Sequence, residues 1–357
     1  MVFAGGGTGG HLYIGIALAR ELQRRNPACE LLFIGTRRGL EARIVLQEGF
    51  RVAFIESAGL KRVGRWAAVR NFSLIPKSLW QARQLLRGRA PGVVVGVGGY
   101  SSGPVVLAAW WLGRPTLVVE PNAYPGLANR WLARVVDCAA LALPDAVRHF
   151  GKKAVVTGIP VRQEFLQLPR RVRRAGELSL LIYGGSQGSR ALNGIVCTAL
   201  PALRELGTGL RLTHQTGEQF LEKVRRAYQE AGVTGEVAAF FPRIYEQFGN
   251  ADLILARAGA GTVAEITAAG KAAILVPFPG AADDHQTRNA RALEERGAAR
   301  VIPESQWRPG RLADELRSFL DHADDIGRME EAARSLARPD ATQRIADLIG
   351  RLSAGHG

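Results

Sequence analysis

The chain has 357 residues, which suits two domains of roughly 150 to 180 residues better than one ordinary core. Nearly half of it is hydrophobic, yet its apolar stretches are broken by Gly, Pro or Arg well short of the ~20 residues a spanning helix needs, which excludes a membrane-crossing segment. The formal net charge is +15, and no carboxylate stands between Glu56 and Glu120, where Lys61, Arg62, Arg65, Arg70, Lys77, Arg83, Arg87, Arg89 and Arg114 fall; such a field attracts nucleic acid, anionic lipid or a phosphorylated substrate.

The first half alternates strands and helices. Residues 2–4 read as a short strand, 12–25 as a helix, 30–34 and 51–55 as strands, and 93–97 as a β-branched strand ending in Gly98-Gly99. A small-residue helix at 102–112, a strand at 115–119 and a helix at 126–133 follow. Within the basic region, Phe72, Leu74, Ile75, Leu79, Trp80 and Leu86 interleave with cations in a partly helical segment. Thr157-Gly158-Ile159-Pro160 breaks both element types and marks the join. The second half repeats the pattern, with strands at 179–183, 211–215, 237–241, 253–256 and 273–276 and helices at 190–203, 218–231, 262–269 and 286–295. Residues 324–352 read as two helices broken at Pro339, the last of which is expected to dock back on the first domain. Alternation of this kind, with apolar strands, predicts a parallel sheet covered on both faces.

Two glycine-rich turns sit where a strand meets a helix, one near the start of each half: Gly5-Gly6-Gly7-Thr8-Gly9-Gly10-His11 and Gly184-Gly185-Ser186-Gln187-Gly188. Glycine lets the backbone turn sharply and approach a ligand, and a helix N-terminus then offers N–H groups to an anion. The first turn formally satisfies G-x-G-x-x-G through Gly5, Gly7 and Gly10, but the second strand ends in Ile34-Gly35-Thr36 without the acid that a dinucleotide ribose requires. There is no P-loop lysine, HExxH, paired CxxC or D-x-D triplet, so no obligatory metal or other cofactor is expected. Cys29, Cys138 and Cys197 are too scattered for a disulfide framework and read as reduced thiols.

His11 follows the glycines and should open the helix, facing the ligand; it suits a neutral general base or, equally, a loop cap bonded to phosphate. Arg257-Ala258-Gly259-Ala260-Gly261-Thr262-Val263-Ala264-Glu265 is a third small-residue turn into a helix. Its N–H groups could cradle a phosphate or ribose, and Glu265 could take two vicinal hydroxyls or simply sit well near the positive end of the helix. All these loops follow strands, on the side of an open α/β sheet where ligands bind.

Taken together, the motifs resemble the MurG family of bacterial glycosyltransferases. The likeness runs through the 5–11 turn, Gly98-Gly99-Tyr100-Ser101-Ser102-Gly103-Pro104, Glu120-Pro121-Asn122-Ala123-Tyr124-Pro125-Gly126 and Gly158-Ile159-Pro160-Val161-Arg162. It continues through Gly184-Gly185-Ser186-Gln187-Gly188, His214-Gln215-Thr216-Gly217, and the 258–265 and 283–290 segments. The resemblance implies a GT-B architecture, two Rossmann-like doubly wound parallel-sheet domains (1–157 and 161–338) facing an interdomain cleft. It implies an inverting transfer of N-acetylglucosamine from UDP-N-acetylglucosamine to the C4 hydroxyl of undecaprenyl-pyrophosphoryl-muramyl-pentapeptide. Ser186 would hold the phosphates, Phe241 the uracil, Glu265 the ribose and Gln286 the sugar, with Thr8, Gly9, Gly10, Asn122 and Arg162 completing the site. Tyr100, Asn129, Asn193, Arg257, Ala260, Gly261, Thr262, Val263, Ala264 and His285 are further substrate contacts on this reading. His11 would be the base, with Glu120 next.

The implied partners are the sugar nucleotide, the lipid-linked acceptor, an anionic membrane surface on the cytoplasmic side and other cell-wall synthesis proteins, with no nucleic acid. Three positions depart from the family pattern: Val119 stands where His is common, and Pro121 and His285 where Gln is common. A catalytic histidine at 119 is therefore not carried over. The rivals are another UDP-sugar enzyme of the same fold, such as a lipid glycosyltransferase or a UDP-N-acetylglucosamine epimerase, a dinucleotide-dependent oxidoreductase, and a non-catalytic binder of anionic lipid or nucleic acid.

Overall fold

The computed structural model describes residues 1–6, 9–37, 41–57, 65–174, 176–185 and 187–355; at residues 9, 10 and 65–72 it describes the backbone alone. The chain divides into two compact units, Met1–Pro160 with Arg338–Gly357, and Val161–Ala337.

In the first unit the strands are β1 (Val2–Gly5), β2 (Leu32–Gly35), β3 (Arg51–Phe54), β4 (Val94–Gly98), β5 (Thr116–Glu120), β6 (Cys138–Leu141) and β7 (Ala154–Val156). They form one parallel sheet in the order β3-β2-β1-β4-β5-β6-β7. The second unit holds β8 (Leu178–Tyr183), β9 (Leu210–Gln215), β10 (Glu236–Ala238), β11 (Leu253–Ala256), β12 (Ala272–Leu275) and β13 (Ala299–Val301), again all parallel, in the order β10-β9-β8-β11-β12-β13. The central strands are apolar and buried along their whole length, because helices cover both faces of each sheet. Both orders reverse direction beside the first strand of the unit, between β1 and β4 and between β8 and β11. A ligand crevice of a doubly wound sheet opens at that switch point, off the carboxyl ends of the strands.

The glycines at these points are required by close approach. A Cβ on Gly99, whose φ is +82°, would lie 1.9 Å from the Gly6 carbonyl oxygen, and one on Gly188 would lie 1.8 Å from that of Thr216. Short strands β6, β7 and β13 are absent from the sequence reading. Cys138-Ala139-Ala140-Leu141 is poor in β-branched residues, and only its place between β5 and β7 makes it a strand. The expected strand at 237–241 stops at Ala238, so Phe241 lies in the turn beyond it.

The last helix, Ala341–Ala354, packs against the helix Gly9–Arg25 of the first unit. Arg25 ties the two together, pairing with Asp347 at 2.5 Å and donating to the Gln343 carbonyl at 3.2 Å.

Candidate functional site

In the second unit, the helix Ala260–Ala269 starts directly after β11 with Gly259 as its N-cap and no capping side chain. Its first-turn N–H groups therefore have no partner inside the helix or from the cap, which leaves them suited to an anion or a polar ligand. A Cβ on Gly261 would meet nothing within 4 Å, so this end of the helix is open. One turn in, Glu265 Oε2 accepts a hydrogen bond from the Tyr183 hydroxyl at 3.3 Å, while Oε1 lies 3.8 Å from Arg162 Nη2. Arg162 itself lies over the rings of Phe165 and Tyr245, at 5.0 and 5.9 Å. Burial pushes the Glu265 carboxyl up to about 7, against the opposing pull of Arg162 and the Tyr183 hydrogen bond.

The other expected contacts in this unit divide into two groups. His285 and Gln286 open the helix His285–Glu294; Gln286 accepts from the Phe278 N–H at 3.0 Å, bringing the 277–286 loop together. The two preceding residues, Asp283 and Asp284, both have left-handed backbones (φ 52° and 54°), and strain of this kind gathers at ligand sites. Arg257, by contrast, is committed to the protein: it donates to Ser189 Oγ at 3.0 Å and to the carbonyls of Val276 and Pro277 at 3.1 and 3.2 Å, and it pairs with Glu304. It pins the loops after β8 and β12 to each other.

Asn193 also faces inward, bonded to the Thr216 carbonyl at 3.0 Å and to His214 Nε2 at 3.0 Å. His214 is fully buried and its pKa is pushed down to about 3, so it is a neutral core histidine. The Phe241 ring lies in the core and its N–H donates to Gln215 Oε1 at 2.9 Å; the neighbouring exposed ring belongs to Phe240. Ser186 lies outside the described residues.

In the first unit, Gly9 and Gly10 open the helix Gly9–Arg25 and His11 follows in its first turn. The imidazole lies against the end of β4, where a Cβ built on Gly98 would stand 2.8 Å from His11 Cδ2 and 3.0 Å from Nε2. Tyr100 lies just beyond: its hydroxyl meets Thr36 Oγ1 at 3.4 Å and its carbonyl accepts from Ser57 Oγ at 2.9 Å. A buried carboxylate missed by sequence reasoning, Glu41, accepts from the Thr36 N–H at 2.8 Å and packs against Gly6 and Gly35. No motif marks Glu41; only the fold brings it under the glycine turn. Gly7 and Thr8 lie outside the described residues.

Glu120 requires a correction. Its Oε1 accepts from the N–H and the side-chain amide of Asn122, at 2.9 and 3.0 Å, and its Oε2 from the Gly126 N–H and Asn129 Nδ2, at 3.0 and 2.9 Å. Burial raises its pKa while these four bonds oppose the rise. A carboxylate with four donors already seated has no lone pair left for a substrate proton; Glu120 braces the 121–126 turn. Asn122 and Asn129 are its partners in that brace. The hydroxyls of Ser101 and Ser102 and Oδ1 of Asn129 are buried with no hydrogen-bond partner among the described residues. Also among the described residues, no group of three or more His, Cys, Asp or Glu is gathered as a metal site.

The geometry is that of two Rossmann-type units, each with a glycine turn and a helix N-terminus at its switch point, which is the GT-B class of architecture. The model of the glycosyltransferase family 28 N-terminal domain matches residues 1–141, and that of the family 28 C-terminal domain matches residues 179–345. A protein of Anaeromyxobacter dehalogenans (strain 2CP-1 / ATCC BAA-258) named UDP-N-acetylglucosamine--N-acetylmuramyl-(pentapeptide) pyrophosphoryl-undecaprenol N-acetylglucosamine transferase is 46% identical over 354 residues, covering 99% of this chain and 92% of that one. The protein of the same name from Geobacter sp. (strain M21) is 42% identical over 97% of this chain and 94% of its own. The crystal structure of Acinetobacter baumannii MurG superposes with a TM-score of 0.82 at 34% identity, covering 98% of this chain and 99% of that chain. The chain belongs to glycosyltransferase family 28 and, within it, to the MurG transferases, as its motifs led one to expect.

Proposed function

We propose that the chain transfers N-acetylglucosamine from UDP-N-acetylglucosamine to undecaprenyl-pyrophosphoryl-N-acetylmuramyl-pentapeptide, the last sugar addition to the lipid-linked precursor of peptidoglycan. The observation that carries this reading is the 46% identity to a transferase of that name over 99% of the chain.

On this reading the second unit takes the donor. Glu265 receives the ribose hydroxyls, the open N-terminus at Gly259–Gly261 and Arg162 face the diphosphate, and Gln286 meets the sugar. In the first unit, His11 accepts the proton of the acceptor C4 hydroxyl as that oxygen attacks the anomeric carbon. The bond to UDP breaks in the same in-line step, its electron pair leaving with the diphosphate, and the anomeric centre inverts. The rate comes from the base and from preorganised N–H groups and positive charge at the departing phosphates. Neutralisation of that charge by backbone and arginine makes the reaction independent of a divalent metal.

The acceptor's polyprenyl tail stays in the bilayer, and the first unit carries a face suited to meet it. No helix among the described residues is long and apolar enough to cross a membrane. Helix Arg65–Arg87 packs on helix Ser102–Trp111, and Pro76, Leu79, Trp80, Arg83 and Trp111 line a shallow groove between them. Trp80 and Trp111 are about 60% exposed (60% and 62%), as interfacial tryptophans are. Two residues expected on this face do not serve it: Leu86 is buried in the core, and Lys77 is paired with Glu56 at 2.7 Å. Among the described residues Arg83, Arg87 and Arg89 remain as its cations; the Arg70 side chain lies outside them. The protein on this reading binds the cytoplasmic surface peripherally.

The test is direct. Purified protein is given labelled UDP-N-acetylglucosamine with a polyprenyl-pyrophosphoryl-muramyl-pentapeptide, and separately without acceptor. Labelled disaccharide lipid and released UDP are expected only with acceptor. Release of free sugar or an epimerised sugar nucleotide, with no lipid product, would replace this reading with the rival sugar-nucleotide enzyme.

A further inference from the structure

Tyr183 is the last residue of β8, directly before the glycine turn and beside the switch point. Its ring packs edge-on against Phe248 with centroids 5.5 Å apart, and the residue is buried. A buried phenol needs a partner for its hydroxyl, and the one it has is a ligand-facing group, Glu265 Oε2 at 3.3 Å. The other carboxyl oxygen of Glu265 faces Arg162, 3.8 Å away. An ionised carboxylate offers about four acceptor positions. The phenol fills one, and the remainder can receive a pair of hydroxyls. A tyrosine ring held by core packing is a rigid donor, so it restricts the rotation of a carboxylate that would otherwise have to be ordered when ligand arrives.

We propose that Tyr183 is a positioning residue for donor recognition: its hydroxyl, fixed at the end of β8, holds the Glu265 carboxylate in the orientation that accepts the vicinal diol of the nucleotide ribose. This rests on the reading of Glu265 as the ribose acceptor. Tyr183 acts through Glu265 and touches no reacting atom.

Two consequences separate positioning from mere packing. The effect of removing the hydroxyl depends on the ribose diol, and it shifts the pH dependence of binding. The charged and titratable groups acting on Glu265 are Arg162 and Tyr183, both of which favour its ionised form against burial. Binding of a diol by the carboxylate weakens as pH falls through the Glu265 pKa. Loss of the phenol bond raises that pKa, so the weakening begins at higher pH.

The experiment measures dissociation constants of UDP and of 2′-deoxy-UDP by calorimetry from pH 5.5 to 8.5, for wild type, Tyr183→Phe and Glu265→Gln. Thermal unfolding of each protein is recorded alongside. Tyr183→Phe is expected to weaken UDP binding roughly 3- to 10-fold, the equivalent of one hydrogen bond, with a clearly smaller loss for 2′-deoxy-UDP and an upward shift of the pH midpoint. In turnover assays it should raise the donor KM and leave kcat nearly unchanged. Equal losses on both ligands with an unmoved midpoint would overturn the proposal and leave Tyr183 a packing residue. Glu265→Gln serves as the separate control: if it costs the same for UDP and 2′-deoxy-UDP, the ribose assignment itself fails, whatever Tyr183→Phe does. Should Tyr183→Phe unfold at markedly lower temperature, Tyr183→Trp or Tyr183→Met, which keep bulk without the phenol, provide the same ligand comparison.

Discussion

The two units share a strand order and a glycine turn at the switch point, yet they use a carboxylate in opposite ways, one buried and one half-buried. Glu120 in the first unit receives four hydrogen bonds from its own turn and is consumed as a brace. Glu265 in the second unit has one phenol and an arginine 3.8 Å away, which leaves acceptor capacity for a ligand. Burial raises the pKa of both. A raised pKa alone therefore does not separate a functional acid from a structural one; the count of seated donors does. On the proposed reading the first unit, with His11 at its turn, supplies the base, and the second holds the donor.

The sharpest way to break this division is at His11. His11→Ala should lower kcat about 10²- to 10⁴-fold, the usual range for a general base, with donor affinity little changed. Gly10→Ala should instead weaken substrate binding, because a side chain intrudes where the backbone meets the ligand. Steady-state kinetics with both substrates varied reads out the split. Near-wild-type kcat in His11→Ala would remove the base from this residue and the division with it.

The carboxylates should fail differently. Glu120→Ala leaves four donors without their acceptor, and a loss of about 3 kcal/mol or more in folding stability is expected, measured by urea unfolding. Glu265→Ala should fold nearly normally and lose roughly 10- to 100-fold in UDP affinity, one to two charge-assisted bonds. The pH dependence follows from the same residue. With the Glu265 pKa at about 7 and the carboxylate as the binding form, UDP affinity is full above that pH and falls as pH drops below it, by up to about tenfold per unit. A flat affinity between pH 5.5 and 8 would sink the assignment.

The distinction between brace and binder could not be read in the sequence, whereas most of the architecture could. Alternating apolar strands and helices announce parallel sheets because burial on both faces forbids a polar alternation, and the glycine turns mark the switch points because only glycine tolerates such contacts. What stayed hidden depended on three-dimensional neighbours. Glu120 ends β5 and Glu265 lies in the helix after β11, so both carboxylates fall at the carboxyl side of a sheet, and the sequence does not tell brace from binder. Asn193 falls in the predicted helix at 190–203 as a substrate contact, but folding turns its amide onto His214. Arg257 reads as a substrate contact until Val276, Pro277 and Ser189 are found around it. Tyr183 carried one usable signal: an aromatic hydroxyl at the carboxyl end of a central strand, where ligands bind.

The proposed membrane face sharpens the comparison from another side, since its groove lies on the first unit. Arg83→Glu with Arg87→Glu should reduce co-sedimentation with vesicles rich in anionic lipid, at about 1 kcal/mol for each basic residue removed near the surface and more for the reversal. Trp80→Ala with Trp111→Ala should remove the salt-resistant part of the binding. Equal binding to neutral and anionic vesicles, or none to either, would move the docking face elsewhere. UDP affinity, which the proposed function assigns to the second unit, should be unchanged in all four substitutions.

The smallest expected effect is that of a chelator, and it bears on how the second unit handles the diphosphate. Leaving-group charge of a sugar nucleotide must be met by something, and an acidic pair holding a divalent cation is one solution. On the proposed reading the groups that meet the diphosphate are the uncapped helix start at Gly259 and the Arg162 guanidinium, which would supply positive potential without an ion. EDTA should therefore leave kcat and donor KM within about twofold of their untreated values, a change too small to register as a lost phosphate contact. Arg162→Ala should slow turnover where EDTA does not, because it removes both the positive charge and the partner of Glu265. Abolished turnover on chelation, restored by Mg²⁺ or Mn²⁺, would mean that the charge is carried by an ion and that Arg162 serves only to orient the carboxylate.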